Sequence, residues 1–350
     1  MLISPKSPVP SSAEEISAAI NAAGGSISYE RFMTLALYSK HGFYTNTGQA
    51  GRRGDFITSP EVGPLFGTVL ARAIDARWNE LGCPKKFTVV DAGAGPGTLA
   101  RSVNSAQLKC RDALRYVAVE YSVSQRALHP KEVNSQAEMP TDPFVGLIFA
   151  NELLDNLAFR LFVFDRIWKE AFVVEQNGRF MEVLRTVSDT PECLPPTPQH
   201  GARVPVQQQA QQWITSALQS VSHGSVIVFD YCMTTDVAAS RPWRDWLRTY
   251  RQHESGAHYL RQPGEQDITT HVMLDQMRLL NEPTRISSQA DWLVNHGINE
   301  LVDEGRFYWE AHASMPNLEA MLMRSRVRES EALCAPDGLG NFTVIEWSTP

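Results

Sequence analysis

The chain has 350 residues, 43% of them hydrophobic and 20% charged, the profile of an ordinary globular protein with room for one large domain or two smaller ones. Its formal net charge of −7 argues against a protein that grips nucleic acid chiefly through phosphates, while permitting a local basic face. No run reaches the roughly 18 apolar residues that would span a bilayer; Val145–Leu154 comes nearest and is interrupted by Asn151 and Glu152.

The N-terminal segment lacks a long apolar core, is poor in arginine and carries Glu14 and Glu15. Neither a secretory nor a mitochondrial leader is therefore expected, and the expected compartment is the cytoplasm. The five cysteines, Cys83, Cys110, Cys193, Cys232 and Cys334, are odd in number and never spaced C-x-x-C. That pattern fits reduced thiols better than a disulfide framework or a zinc site.

Ser11 and Ser12 stand three residues before Glu14 and Glu15, a capping-box pattern, and Gly24-Gly25 ends the helix it opens. Ser28 opens a second helix, with Phe32, Leu35 and Ala36 on one face and His41–Tyr44 as its exit. Residues 45–64 hold Gly48, Gly51, Gly54, Pro60, Gly63 and Pro64 and read as a loop. Asp55, Phe56, Thr58, Ser59 and Glu61 give that loop the chemistry of a functional lid; a solvated connector is the alternative. Leu65, Val69, Leu70, Ala73, Ile74 and Leu81 then mark a buried helix face that stops at Gly82.

Strands and helices alternate from here. Phe87–Val90, Arg115–Val119 and Val145–Ala150 read as strands, Thr98–Leu108 and Ser122–Leu128 as helices, which predicts a parallel sheet with helices on both faces. Leu161–Phe164, Trp168–Val174 and Phe180–Leu184, with a turn at Asn177-Gly178, predict an antiparallel insertion. The proline-rich residues 189–205 read as a linker or irregular crossing. Val206–Val221 is expected to be helical and Gly224–Asp230 a buried strand. Residues 233–270 show little periodicity and read as a second insertion, after which Leu318–Leu333 is a helix and Phe342–Trp347 a closing strand.

The segment Val89-Val90-Asp91-Ala92-Gly93-Ala94-Gly95-Pro96-Gly97-Thr98 joins a strand, an acidic residue and a glycine turn entering a helix. Ligands of open α/β sheets bind at the carboxyl ends of the strands, and glycine lets backbone approach a bound group where a Cβ would collide. A dinucleotide fingerprint G-x-G-x-x-G would place its third glycine at position 98, which is Thr98. The spacing G-x-G-x-G after Asp91 fits S-adenosylmethionine better than a pyrophosphate. The next strand ends in Glu120, placed to accept hydrogen bonds from both ribose hydroxyls. Asp91, Gly93, Gly95, Gly97, Thr98 and Glu120 are thus the expected cofactor-binding residues.

With these residues in view, the chain resembles the MidA-like methyltransferases, the group that includes the mitochondrial complex I assembly factor that methylates a protein arginine. The resemblance begins at Ile27-Ser28-Tyr29-Glu30-Arg31-Phe32-Met33, Leu37-Tyr38 and His41-Gly42-Phe43-Tyr44, and is strongest at Gly54-Asp55-Phe56-Ile57-Thr58-Ser59-Pro60-Glu61-Val62. It returns at Asn151-Glu152-Leu153-Leu154-Asp155, at Asp230-Tyr231 and at Gly264-Glu265-Gln266-Asp267-Ile268-Thr269-Thr270-His271-Val272. Cys232 stands where the family usually has glycine, and residues 274–310 match poorly. The resemblance implies a doubly wound, Rossmann-like class I methyltransferase sheet with an N-terminal helical segment and antiparallel or irregular insertions. It also implies a protein substrate bearing an arginine.

The layout expected is a helical region at 1–82 with an active-site loop at 45–64, a cofactor-binding core at 83–232 with a β insertion near 160–186, a substrate-side insertion at 233–283, and completion of the sheet by 284–350. A guanidinium offers only donors, so its plane and charge are best held by carboxylates. Glu152, just beyond a central strand, is the first candidate and Asp155 the second, with Asn151 beside them; Asp155 as a structural cap is the alternative. Ser59, Pro60 and Glu61 are expected against the cofactor. Asp267 and His271 are carried over by resemblance as near the site; a backbone-bonded helix-start histidine is the alternative for the latter.

Three other readings stay open. Arg241, Arg244, Arg248 and Arg251 interleaved with Trp243, Trp246 and Tyr250 would suit an RNA methyltransferase, although helical spacing reads more simply as a stripe packed on the core. A small-molecule methyltransferase would need an enclosed pocket. A non-catalytic assembly factor would keep the fold alone.

Overall fold

The computed structural model describes residues 11–46, 58–251 and 254–349; Asp55 and Phe56 of the expected lid lie outside them. The chain forms two compact units interleaved along the sequence. One comprises residues 1–48, 157–208 and 235–270, the other residues 49–156, 209–234 and 271–350.

The second unit is built on seven strands: β1 Phe87–Ala92, β2 Leu114–Val119, β3 Asn134–Gln136, β4 Phe144–Asn151, β5 Val221–Asp230, β6 Arg285–Ser288 and β7 Thr343–Thr349. Their order across the sheet is β3-β2-β1-β4-β5-β7-β6. β1 to β5 run parallel, while β7 is antiparallel to both β5 and β6. The order reverses between β1 and β4, and the carboxyl ends beside such a reversal are where an open sheet binds its ligand. β1 is buried along its whole length, as a strand covered on both faces must be, and its apolar run Phe87–Val90 reflects that.

Helices Pro64–Glu80 and Thr98–Ser105 contribute Leu65, Phe66, Val69, Leu70, Leu99 and Val103 to the main core, where they meet Phe149, Phe229 and Trp292. The Phe66, Phe149 and Phe229 rings and the indole of Trp292 pack with centroids 5.0–6.1 Å apart, mostly edge to face, the arrangement that ring quadrupoles favour. Among the described residues no helix is long and apolar enough to cross a membrane.

In the first unit, Ser11 accepts from the Glu14 N–H while the Glu14 side chain accepts from the Ser11 N–H, so the capping box opens the helix Ser12–Ala22. Ser28 caps Tyr29–Tyr38 through its side chain alone, which accepts from the Arg31 N–H. The expected antiparallel insertion is present as Arg160–Asp165, Ile167–Gln176 and Arg179–Arg185. Asn177 and Gly178 take φ of 51° and 70° at its tight turn, as paired left-handed residues of a two-residue hairpin do.

Several expectations are corrected. The proline-rich segment is not all linker: Arg203–Val206 is a strand paired with Arg160–Asp165, and Pro205 tolerates this position at the end of the sheet. The loop expected at 45–64 contains a helical turn, Ser59–Val62, and its first two residues belong to another, Phe43–Asn46. The Trp/Arg stripe is not helical; Trp243–Asp245 is one 3-10 turn and Leu247–Arg251 a strand in a three-stranded sheet with Glu254–Ser255 and Asp267–Thr270. Its central indole, Trp246, is fully buried, with Nε1 donating to the Ala238 carbonyl, so it cannot stack on a base. Residues 284–317, read only as a completion of the sheet, supply β6 and the helices Gln289–Asn295 and Ile298–His312.

Candidate active site

β1 delivers Asp91 to the carboxyl edge of the sheet, and the chain then turns through Gly93, Gly95 and Gly97 with φ of 72°, 52° and 77° into the helix Thr98–Ser105. The left-handed region is open to glycine without steric penalty. A Cβ at Gly93 would approach Leu153, and one at Gly97 would approach His129 and Pro130. At Gly95 it would meet nothing within 4 Å. The middle glycine is therefore where another group can come against the backbone.

Glu120 follows β2, and its carboxylate accepts from the Gly95 N–H at 3.0 Å and from the Ser122 N–H at 2.7 Å. Each oxygen keeps a second lone pair for a diol. Burial pushes its carboxyl above the usual range, opposed by those backbone donors and by Arg126. Thr98 opens the helix and its hydroxyl accepts from Arg101. The turn Ser59–Val62 packs against this same helix, which places Ser59, Pro60 and Glu61 on its flank. Ser59 is fully buried, and its hydroxyl donates to the Gln289 side chain at 2.9 Å.

Asp91 is only 4% exposed and accepts from the Tyr116 hydroxyl at 3.0 Å. Burial raises its pKa to about 7, opposed by the Tyr116 hydrogen bond and aided by the Glu120 charge. The folded state thus holds a proton that the unfolded chain, near 3.8, releases. This contribution to stability is full below about pH 4 and is lost as pH rises through about 7. Urea unfolding from pH 5 to 8 should show stability falling by on the order of 2–4 kcal/mol, at about 1.4 kcal/mol per pH unit. Asp91→Asn should flatten the slope; an unchanged slope in that variant would assign the titration elsewhere.

β4 ends in Asn151, and Glu152 follows with φ of 51°, a conformation that costs a non-glycine residue about 1 kcal/mol or more. The Glu152 N–H donates to the Phe229 carbonyl at 2.9 Å, and the Asn151 amide donates to the Glu152 carboxylate at 3.0 Å. The buried carbonyl oxygen of the Asn151 amide has no donor among the described residues. Leu154–Asn156 then makes one 3-10 turn that holds Asp155, while Glu152 lies outside any helix.

What brings these residues together is Asp230, at the end of β5. Its carboxylate accepts from the N–H groups of Leu154 at 3.0 Å, Asp155 at 3.3 Å and Tyr231 at 2.8 Å. Asp230 is fully buried. Burial first, then the charges of Asp155 and Glu152, push its carboxyl well above the usual range. Three carboxyl groups therefore converge at the ends of β4 and β5. Sequence reasoning named Asp230 only within a motif; the signal available was an acidic residue closing an apolar strand.

His271 lies just before Val272–Met273, which pairs with Cys232–Met233 directly after Asp230-Tyr231, and its ring stands 5.8 Å from that of Tyr231. It is not at a helix start, since the next helix begins at Leu274. Asp267 belongs to the other unit, where its carboxylate accepts from the Tyr44 hydroxyl at 3.0 Å and from the Ile268 N–H.

Comparison with known proteins bears on this arrangement. Residues 69–289 match the family described as "Putative S-adenosyl-L-methionine-dependent methyltransferase". The chain is 45% identical over 62 residues to the mitochondrial protein arginine methyltransferase NDUFAF7 homolog of Drosophila melanogaster, a stretch spanning 18% of this chain and 14% of that relative. It is 24% identical over 347 residues to mitochondrial NDUFAF7 of Rattus norvegicus, covering 83% of this chain and 76% of the relative. A crystal structure of a Burkholderia thailandensis protein bound to S-adenosyl-homocysteine shares the fold, with a TM-score of 0.80 and 24% identity over 97% of this chain and 95% of that one.

The mitochondrial relatives overturn the expectation of a cytoplasmic protein, which rested on the absence of a recognisable leader. The open face of Gly95 and the carboxylate of Glu120 fit an adenosine ligand. The chain belongs to the family of S-adenosyl-L-methionine-dependent methyltransferases, on the MidA-like branch that its motifs resemble, and S-adenosylmethionine is its cofactor.

Proposed function

We propose that the protein transfers a methyl group from S-adenosylmethionine to a guanidinium nitrogen of an arginine in a protein substrate. The observation that carries this reading is the convergence of Glu152, Asp155 and Asp230 at the ends of β4 and β5, next to the strand that bears the glycine turn. Carboxylates in that number suit a cationic acceptor, and a guanidinium can be gripped by two parallel hydrogen bonds.

In this reading Asp91, Gly93, Gly95, Gly97, Thr98 and Glu120 hold the cofactor, with Ser59, Pro60 and Glu61 on the flank of the helix that follows. When bound, the cofactor supplies a methyl group on a positively charged sulfur. Glu152 holds the guanidinium and draws its charge toward the nitrogens away from attack, leaving the attacking nitrogen richer in electrons. Asp155 assists, and the free carbonyl oxygen of Asn151 accepts an N–H from either ligand. His271, beside Tyr231, is assigned near the acceptor. Orientation of the two reactants can contribute on the order of 7–11 kcal/mol, and the proton displaced from nitrogen leaves to water.

The relatives are named protein arginine methyltransferases, which supports the same acceptor here. The test is mass spectrometry of arginine peptides from cells with and without this chain, after labelling with methyl-deuterated methionine. A labelled methylarginine that disappears with the chain is expected. Label lost only from lysine, nucleic acid or small molecules would replace the proposed acceptor.

A further inference from the structure

His129 has no part in the roles assigned so far, yet both its ring nitrogens are engaged. Nε2 stands 2.8 Å from the Gly95 carbonyl oxygen and Nδ1 2.8 Å from the Ser135 hydroxyl. A carbonyl only accepts, so Nε2 carries the hydrogen, and on a neutral ring Nδ1 accepts from Ser135. Burial, with the charges of Arg101 and Arg126, holds the imidazole below its usual pKa and so favours that neutral form.

The Gly95 residue is thereby held at both ends, its N–H by Glu120 and its carbonyl by His129. The ring also packs on the turn: a Cβ at Gly97 would come within 3.1 Å of His129 Cδ2. Ser135 lies in β3, and the next residue, Gln136, accepts the backbone N–H of Glu120 at 3.0 Å. One short edge strand thus anchors both the glycine turn, through the imidazole, and the acidic residue, through its backbone.

We infer that His129 is a positioning residue of the cofactor site, fixing the Gly95 backbone so that its N–H faces Glu120 and its open side faces the ligand. This rests on reading the glycine turn as the cofactor cradle. Without the imidazole, the Gly95 carbonyl is free to rotate, and the bound geometry must then be selected from several.

Calorimetric titration of S-adenosyl-homocysteine into the full chain tests it, with His129→Leu, His129→Gln and Glu120→Ala beside the wild type. The glutamine amide N–H reaches about as far as Nε2 and can donate to the same carbonyl. His129→Leu should weaken binding about tenfold, the loss of roughly one hydrogen bond. His129→Gln should stay within about threefold of wild type, with both variants melting near the wild type in the absence of ligand. Wild-type affinity in His129→Leu together with a loss in Glu120→Ala would overturn the inference and leave the cradle standing. Wild-type affinity in both would overturn the cradle itself. Equal losses in the leucine and glutamine variants, accompanied by lowered melting temperatures, would reduce His129 to a packing residue and also overturn the inference.

Discussion

Glu152→Gln is expected to lower methyl transfer by about 10²–10³-fold, the scale on which removal of one preorganised electrostatic partner acts, with affinity for S-adenosyl-homocysteine within about twofold of wild type. Glutamine has the same length and shape. It can keep the left-handed backbone at position 152, the N–H bond to Phe229 and the contact from Asn151. What it removes is the charge.

The proposed acceptor depends on that charge, because Asp230 lies deep and accepts three backbone N–H groups, leaving Glu152 as the half-buried carboxylate of the three. Transfer of labelled methyl to protein extracted from cells lacking the chain measures it, and wild-type rates in the variant would refute the assignment. Glu152→Gly adds a sharper reading: glycine relieves the φ of 51°, so that variant should lose transfer while unfolding no more readily than wild type. A residue retained only for structure would not show that combination.

Trp292→Ala should destabilise the protein by about 3–5 kcal/mol, the range for truncating a large buried aromatic side chain. The indole is fully buried in the main core, 5.0 Å from the Phe229 ring edge to face and 3.9 Å from His296 in a stacked pair. Phe229 precedes Asp230 on β5 and accepts the Glu152 N–H, so the cavity opens directly beneath the proposed acceptor site. The indole Nε1 is buried with no acceptor among the described residues, and an unmade hydrogen bond of this kind costs about 1–3 kcal/mol. Trp292→Phe gives up part of the packing and also removes that donor, so its net cost should be less than half that of alanine. Urea unfolding of both variants decides it; equal losses would mean that a ring at this position adds nothing to the core and would refute the packing account.

The elements that were legible in the sequence are those decided within a few residues. The capping box at Ser11 and Glu14, the serine cap at Ser28, the hairpin turn at Asn177-Gly178 and the glycine turn after Asp91 each depend on local backbone geometry, and each appears where the residues call for it. The buried strands β1, β4 and β5 were equally plain, because a parallel strand covered on both faces must be apolar along its length.

The tertiary structure alone decided whatever depends on a distant partner. Arg203–Val206 is a strand because Arg160–Asp165 lies beside it, and Trp246 is buried in a strand-edge setting that no helical spacing could reveal. Ser59 is spoken for by Gln289, 230 positions away, Asp91 meets Tyr116, and Asp230 gathers the N–H groups of Leu154 and Asp155 across some 75 positions. His129 reaches Gly95 in the same manner. Residue type limits what a carboxylate or an imidazole can do, but its partners are set by which strand ends the sheet order brings together, and that order is a property of the whole fold.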